Sequence, residues 1–307
     1  MRALTANLQH SAGLSDGAEP VYFDRLEPAS GATRSTIVMI HGGAHTGSCY
    51  LRTADDRPGW AYVFAERGHR VVVPDWPGTG RSGAIPADRL TGETIVSGLG
   101  TLVASLPPPV TLITHSMSGA YGWRLLELHS RVSRVVAVAP APPGNIQPVP
   151  DARNEDRAAV EVVIGGQSIR LDKRAPFYAE RVFVERKLVG DGSFFPRDRI
   201  DTYAASLLSL PARLLYERAN VNGSQVQVRD LAALRGKRVL VLTGTNDIDH
   251  PRELDGATSE WLRKAHAEVD FLYLGDRGIV GNGHMLMLEQ NSDRIAGLVL
   301  EWLEQAA

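Results

Sequence analysis

The sequence predicts an α/β fold: a mostly parallel central sheet with helices on both faces and one long insertion. Three observations predict it. Six short apolar runs rich in β-branched residues recur along the chain, amphipathic stretches of helical length separate most of them, and the alternation breaks between about residues 141 and 235. Near-continuous Val, Ile and Leu mark strands covered on both faces, which is how parallel sheets read. Strands alternating with helices make βαβ units.

The opening MRALTANLQHSAGLSDGAEP reads as a polar tail that carries His10, without the continuous apolar core of a signal peptide. STIVMI (35–40) is the first buried strand, followed by a helix over 58–67 and a second strand, HRVVVPDW (69–76). A helix over 91–105 leads to VTLITHS (110–116), a helix over 118–130 and RVVAVAP (134–140). The interruption opens with the proline-rich APAPPGNIQPVPD, continues through a hairpin pattern, VEVVIGGQSIRL, and then through aromatic-bearing pieces with helical spacing. It is expected to lie over the carboxyl end of the sheet, where ligands bind in open α/β folds. KRVLVLTG (237–244), a helix over 253–267, VDFLYLG (269–275) and a helix over 292–305 complete the pattern. The expected division is a core of residues 1–140 and 236–307 with a cap insertion at 141–235.

Composition bounds the function. The 307 residues carry 33 basic and 35 acidic side chains, a formal charge of −2, with 43% apolar and 22% charged residues. Such a balance excludes the strongly basic face that nucleic-acid binding needs. No run approaches the roughly 18 apolar residues of a membrane span. Cys49 is the single cysteine, so no intrachain disulfide or cysteine-built zinc site is available, which suits a cytoplasmic location. Neither GxGxxG nor GxxxxGK spacing occurs and the histidines are scattered, so no cofactor or metal is expected. The sequence leaves a homo-oligomer open.

THSMSG (114–119) joins a predicted strand to a predicted helix with Ser116 at the apex. Such a turn lifts a serine hydroxyl clear of the sheet, provided the residues two positions away are small; Thr114 and Ser118 stand there, with Gly119 following. A serine that merely caps the helix is the competing reading. Upstream, IVMIHGGAHTGSCY places a His-Gly-Gly turn after one strand, and VVVPDWPGTGRSG places a glycine turn after the next. Backbone N–H groups in such turns can face a developing oxyanion.

IHGG, DWPGTGRS and THSMSG, in this order, resemble the amino-terminal half of an α/β-hydrolase, although glycine is the family's usual residue at both positions flanking the nucleophile. The resemblance implies Ser116 as nucleophile, with oxyanion donors in the backbone N–H groups of Met117 and of Gly43 or Ala44. The Met117 side chain is then expected to form a pocket wall. A serine needs a base, usually an imidazole held by a carboxylate. His284, in the glycine-rich DRGIVGNGHMLMLEQNS after the last strand, occupies the family's position for that base. His41 is expected to be structural, and His115 to point away from Ser116. His10, His69, His129 and His266 are expected to be solvated, while His45 and His250 stay open as loop residues. Asp247, in LTGTNDIDHPRELD, matches the family's acid position, with Asp249 and Asp255 as competitors. An acid at the end of the strand after the elbow helix is not available, because that strand ends in Ala139, Pro140 and Ala141.

The resemblance implies a serine hydrolase that cleaves a carboxylic ester or lactone of small, moderately apolar character through an acyl-enzyme. Serine at the elbow argues against the dehalogenase and epoxide hydrolase branches, which carry aspartate there. Thioesters, carbon–carbon bonds and peptides are alternatives for the same residues. A non-catalytic small-ligand binding protein of the same fold is the alternative from another class.

Overall fold

A computed structural model of the chain describes residues 7–305. The chain begins with two antiparallel strands, β1 (Leu8–Leu14) and β2 (Tyr22–Pro28), then β3 (Thr36–Ile40), a one-turn helix α1 (Ser48–Leu51) and α2 (Trp60–Glu66). β4 (Arg70–Pro74), α3 (Gly92–Ser105), β5 (Val110–His115), α4 (Ser118–Leu128) and β6 (Val132–Val138) follow. Six parallel strands, joined by two antiparallel ones at one edge, make an eight-stranded sheet of order β1-β2-β4-β3-β5-β6-β10-β11, whose last two members are β10 (Arg238–Thr243) and β11 (Glu268–Tyr273).

Residues 1–6 of the expected polar tail lie outside the described residues, and the stretch from Leu8 to Leu14 is a strand instead. β1 pairs along its whole length with β2, and His10 on β1 bonds Asp24 on β2 at 2.9 Å. Its side chains are almost all exposed, so backbone pairing rather than burial makes it a strand. β11 departs from expectation the other way. Its apolar composition predicts cover on both faces, yet as the outer strand of the sheet it is only partly buried.

Alternate residues of the inner strands feed two cores. Val38, Ile40, Val72, Leu112, Val135 and Val241 pack with α3 and α4 on one face. Ile37, Met39, Val71, Ile113, Val136 and Leu242 pack on the other with α2 and the last helix, whose range is given below. Trp60, Trp76 and Trp123 are all buried, one cause of a tightly filled interior.

Between β6 and β10 the chain leaves the sheet. β7 (Asp151–Arg153), β8 (Ala159–Ile164) and β9 (Gln167–Asp172) form a small antiparallel sheet of their own. The expected hairpin is β8–β9, and Gly165 and Gly166 both adopt positive φ (57° and 79°), as its two-residue turn demands. The aromatic-bearing pieces fold as α5 (Arg181–Phe183) running into a π-helical turn at 184–189, then α6 (Ile200–Ala205) and α7 (Ala212–Arg218). After β10 come α8 (Arg252–Lys264), β11 and α9 (Ser292–Glu304), the helix that shares the second core. No helix among the described residues is long and apolar enough to cross a membrane.

Candidate active site

Ser116 sits between β5 and α4 with φ 53°, a left-handed conformation that costs a residue with a Cβ roughly 1–2 kcal/mol. The surroundings impose it. Its N–H donates to the carbonyl of Val138 at 3.1 Å, and its own carbonyl accepts from Gly119 and Ala141, each at 2.8 Å. The first cap of α4 is Met117, with no side-chain cap bond, so Ser116 is not a capping serine.

The tight approaches fall at glycines one and four residues beyond the expected spacer Ser118. A Cβ on Gly119 would lie 2.6 Å from Pro140 Cβ, and one on Gly122 would lie 2.7 Å from Thr114 Cγ2. Glycine is therefore required at 119 and 122, while Ser118 has a different task. Its Oγ donates to the His41 carbonyl and accepts from Trp76 Nε1 at 3.0 Å, which ties the elbow to both upstream glycine turns.

The His-Gly-Gly turn is held by two neutral imidazoles. His41 Nδ1 donates to the Gly42 carbonyl at 2.8 Å, and its Nε2 accepts the Trp76 N–H at 3.1 Å. His45 Nδ1 donates to the Gly43 carbonyl at 2.7 Å, and its Nε2 accepts from the Tyr203 hydroxyl at 2.8 Å. Burial pushes His41 down to about 4 and His45 down to about 3, so neither is charged near neutrality. Ala44 has φ 61°, and its carbonyl accepts from Leu208 at 2.8 Å. The Met117 side chain lies directly over Gly43, where a Cβ would meet its Sδ. Among the described residues, the N–H groups of Gly43, Ala44 and Met117 have no protein partner. Beneath the second glycine turn, Asp75 accepts from Gly47 N at 2.8 Å and from Arg81 Nε at 2.9 Å, which makes that turn an anchor.

His284 and Asp247 meet across 37 residues, with Nδ1 to Oδ2 at 2.6 Å and both side chains buried. The other carboxylate oxygen of Asp247 accepts from the N–H groups of Asp249 (3.0 Å) and His250 (3.2 Å). Burial pushes the Asp247 carboxyl up, but the charge of His284 and their hydrogen bond outweigh it and hold it well below the carboxylate range. Burial pushes His284 down, and Asp247 more than compensates, leaving it above the ordinary imidazole value.

The competing acids have other partners. Asp249 pairs with Lys187 at 3.0 Å. Asp255 accepts from His250 Nδ1 at 3.0 Å and from Thr243 Oγ1 at 2.6 Å. His250, fully buried, stacks against His284 with ring centres 5.3 Å apart, so a second His–Asp pair lies beside the first.

Several supporting residues escaped the sequence. His115 Nε2 donates to the His284 carbonyl at 3.0 Å, bracing the loop from below. Glu289 accepts from Gly283 N at 2.6 Å and from Asn282 Nδ2, and burial pushes its carboxyl up to about 7. Tyr203 comes from α6, far along the chain, and no local pattern announces it. The expected solvated histidines divide. His266 is exposed, but His69 is buried against Ser35 Oγ at 3.0 Å and pushed down to about 4, and His129 is partly buried. The His69 N–H donates to the Phe64 carbonyl at 3.3 Å and closes the turn before β4.

A left-handed serine between strand and helix, a His–Asp pair reaching the same end of the sheet and a glycine turn with free N–H groups define a class of fold. Residues 37–298 match the model of the alpha/beta hydrolase family, to which the chain belongs. It is a hydrolase of the esterase type. The probable secreted lipase phiG of a fungal species (strain ATCC 74256) is 25% identical over 342 aligned positions, covering 93% of this chain and 86% of that one. The carbendazim hydrolyzing esterase of Nocardioides sp. (strain SG-4G) is 31% identical over 86 residues, 28% of this chain and 33% of that enzyme. Solved esterases from Thermogutta terrifontis and Exiguobacterium antarcticum share the fold with a TM-score of 0.60 each, at 18% and 16% identity. They cover 97% and 96% of this chain, and 98% and 100% of their own.

Proposed function

We propose that the protein is a serine hydrolase that cleaves a small, moderately apolar carboxylic ester or lactone through an acyl-enzyme. Ser116 Oγ attacks the carbonyl carbon while His284 Nε2 takes its proton, and Asp247 holds the imidazole with Nδ1–H donating. The N–H groups of Met117 and of Gly43 or Ala44 receive the oxyanion. As the tetrahedral intermediate collapses, His284 returns the proton to the departing alkoxide. Water, deprotonated by His284, then attacks the acyl carbon and releases the acid, restoring Ser116.

The observation that carries this reading is the buried 2.6 Å His284–Asp247 contact at the same end of the sheet as a serine held at positive φ. Residues 141–235 are proposed as a cap over the site. The Leu208–Ala44 and Tyr203–His45 bonds support it, since both tie that segment to the oxyanion turn. The apolar character of the substrate rests on Met117 and Leu210, which flank Gly43. A cytoplasmic location stays part of the proposal, on the single buried cysteine.

The test is peptide mapping after exposure to a fluorophosphonate, which captures only activated serines. One adduct on Ser116, absent from Ser116→Ala, is the expected result. Folded protein that takes no adduct would overturn the nucleophile assignment.

A further inference from the structure

The loop that carries Asp247 is closed by a second carboxylate. Asp255, in the first turn of α8, accepts from Thr243 Oγ1 at 2.6 Å, where β10 ends, and from His250 Nδ1 at 3.0 Å, where the loop meets α8. It clips the two ends of the loop together. Within the clip the His250 N–H donates to Asp247 Oδ1 at 3.2 Å, and the His250 ring lies on the His284 ring, with centres 5.3 Å apart and planes 23° from parallel. Rings at that separation attract as offset stacks. His250 therefore touches the acid through its backbone and the base through its side chain.

A clip alone needs no charge. An asparagine could join Thr243 to residue 250, whereas a carboxylate withdrawn from water costs far more to bury. Asp255 and His250 are wholly buried, and no lysine or arginine pairs with Asp255 among the described residues. Asp249 differs, because it is partly exposed and Lys187 pairs with it at 3.0 Å. Its field is screened, while that of Asp255 is not.

The other groups around the base are accounted for. His115, at the end of β5, meets the His284 ring with centres 4.6 Å apart, and burial pushes it far below its usual value. His45 in the oxyanion turn is uncharged as well, and Glu289 on the loop of His284 is pushed up by burial to about 7. Burial pushes His284 down; Asp247 lifts it most, and Asp249 and Asp255 add to that lift.

We propose that the His250–Asp255 pair is a second support for the base. The stacked His250 ring holds the His284 imidazole in the plane where Nδ1 meets Asp247, and the Asp255 carboxylate stabilises the imidazolium that forms when His284 takes the Ser116 proton. Both are positioning residues that act through His284. The inference rests on the serine-hydrolase reading of the site.

Asp255→Asn removes the charge and keeps the shape. The plateau of kcat for 4-nitrophenyl hexanoate is expected to fall while the rising limb of kcat/KM moves to lower pH, a combination that loosened packing does not produce. NMR of isotope-labelled histidine, with His284 assigned by its absence from His284→Ala, should show the His284 midpoint moving down in step. His250→Gln keeps a donor for Asp255 but loses the ring, and kcat well below its melting temperature should fall by about 10–100-fold with KM within about threefold. The double variant His250→Phe, Asp255→Asn restores a flat ring without burying an unpaired charge. It should recover most of that kcat yet keep the lowered limb, and it carries the charge test should Asp255→Asn fail to fold. An unmoved His284 midpoint on loss of the Asp255 charge, or a His250→Gln that melts lower but keeps its kcat, would make the pair a loop clip alone and overturn the proposal. Failure of the serine reading shows separately, as wild type that neither hydrolyses the ester nor takes the fluorophosphonate. The His284 midpoint needs no turnover and then still decides.

Discussion

Ser118→Ala tests whether the elbow and the two glycine turns form one mechanical unit. The hydroxyl bonds the His41 carbonyl and Trp76 Nε1, and all three residues are at most 1% exposed. Removing it strands an indole N–H, at about 1–3 kcal/mol, and weakens a carbonyl with a second lone pair, at about 0.5–1.5 kcal/mol. The sum is about 1.5–4.5 kcal/mol. Unfolding entropy of about 2.1 cal/mol/K per residue over 307 residues is about 0.6 kcal/mol/K, so the melting temperature should drop by about 2–7 °C. Because His41 directly precedes Gly42 and Gly43, kcat for a neutral aryl ester should fall as well, by about tenfold, through misplacement of the donors. Scanning calorimetry and initial rates on one preparation measure both. A variant that melts within about 1 °C of wild type and keeps its kcat would refute the coupling.

Asp247→Asn should lower kcat by on the order of 10³–10⁴-fold, the effect of an amide in place of a triad carboxylate, whereas Asp249→Asn should stay within about threefold. A pH profile gives a second reading of the same pair. His284 must be neutral to act and is held above 6.5, so kcat/KM should rise with pH through a value above 6.5, and the limb should move down in Asp247→Asn. The stability that protonated His284 draws from Asp247 is, by the same sign, full below about 6.5 and lost as pH rises through the folded value. Gly119→Ala drives a methyl to within 2.7 Å of the Ala141 backbone and should cost about 1–3 kcal/mol, read as a lower urea midpoint at unchanged slope. Tyr203→Phe leaves buried His45 Nε2 without its donor and should cost about 1–3 kcal/mol while raising KM for the neutral ester, the readout that separates a cap contact from a general loss of stability.

The parallel part of the sheet was legible because burial on both faces leaves Val, Ile and Leu predominant in β3, β4, β5 and β6. The same logic hid β1. LQHSAGL is polar because its side chains face water, and a strand held by backbone bonds to β2 leaves no side-chain period to read. It also misread β11, whose apolar residues cover the outer edge of the sheet rather than an interior position. In the segment between β6 and β10 the β8–β9 turn was legible from Gly165 and Gly166, because positive φ at both positions nearly dictates glycine. The π-helical turn at 184–189 was not, since VERKLV satisfies an α-helical pattern equally well.

The site divides along the same line. Ser116 was legible because a strand-to-helix turn is a local event in sequence, although its φ of 53° is held both by Gly119, three residues on, and by Val138 and Ala141 at the end of the neighbouring strand. The acid was ambiguous because Asp247 and Asp249 share one short loop and Asp255 follows in the first turn of α8, and a period of 3.6 or 2 says nothing about where loop side chains point. What separates them is what each meets from elsewhere: His284 at 2.6 Å for Asp247, Lys187 from the π-helical turn for Asp249, His250 and Thr243 for Asp255. Glu289 and Tyr203 were invisible for the same reason. A buried carboxyl pushed up to about 7 and a phenol donating to a neutral imidazole acquire meaning only once the loop of His284 and the oxyanion turn exist to receive them. Motif spacing thus points to the proposed reacting groups, Ser116 and His284, while the groups that fix their protonation and position follow from tertiary packing.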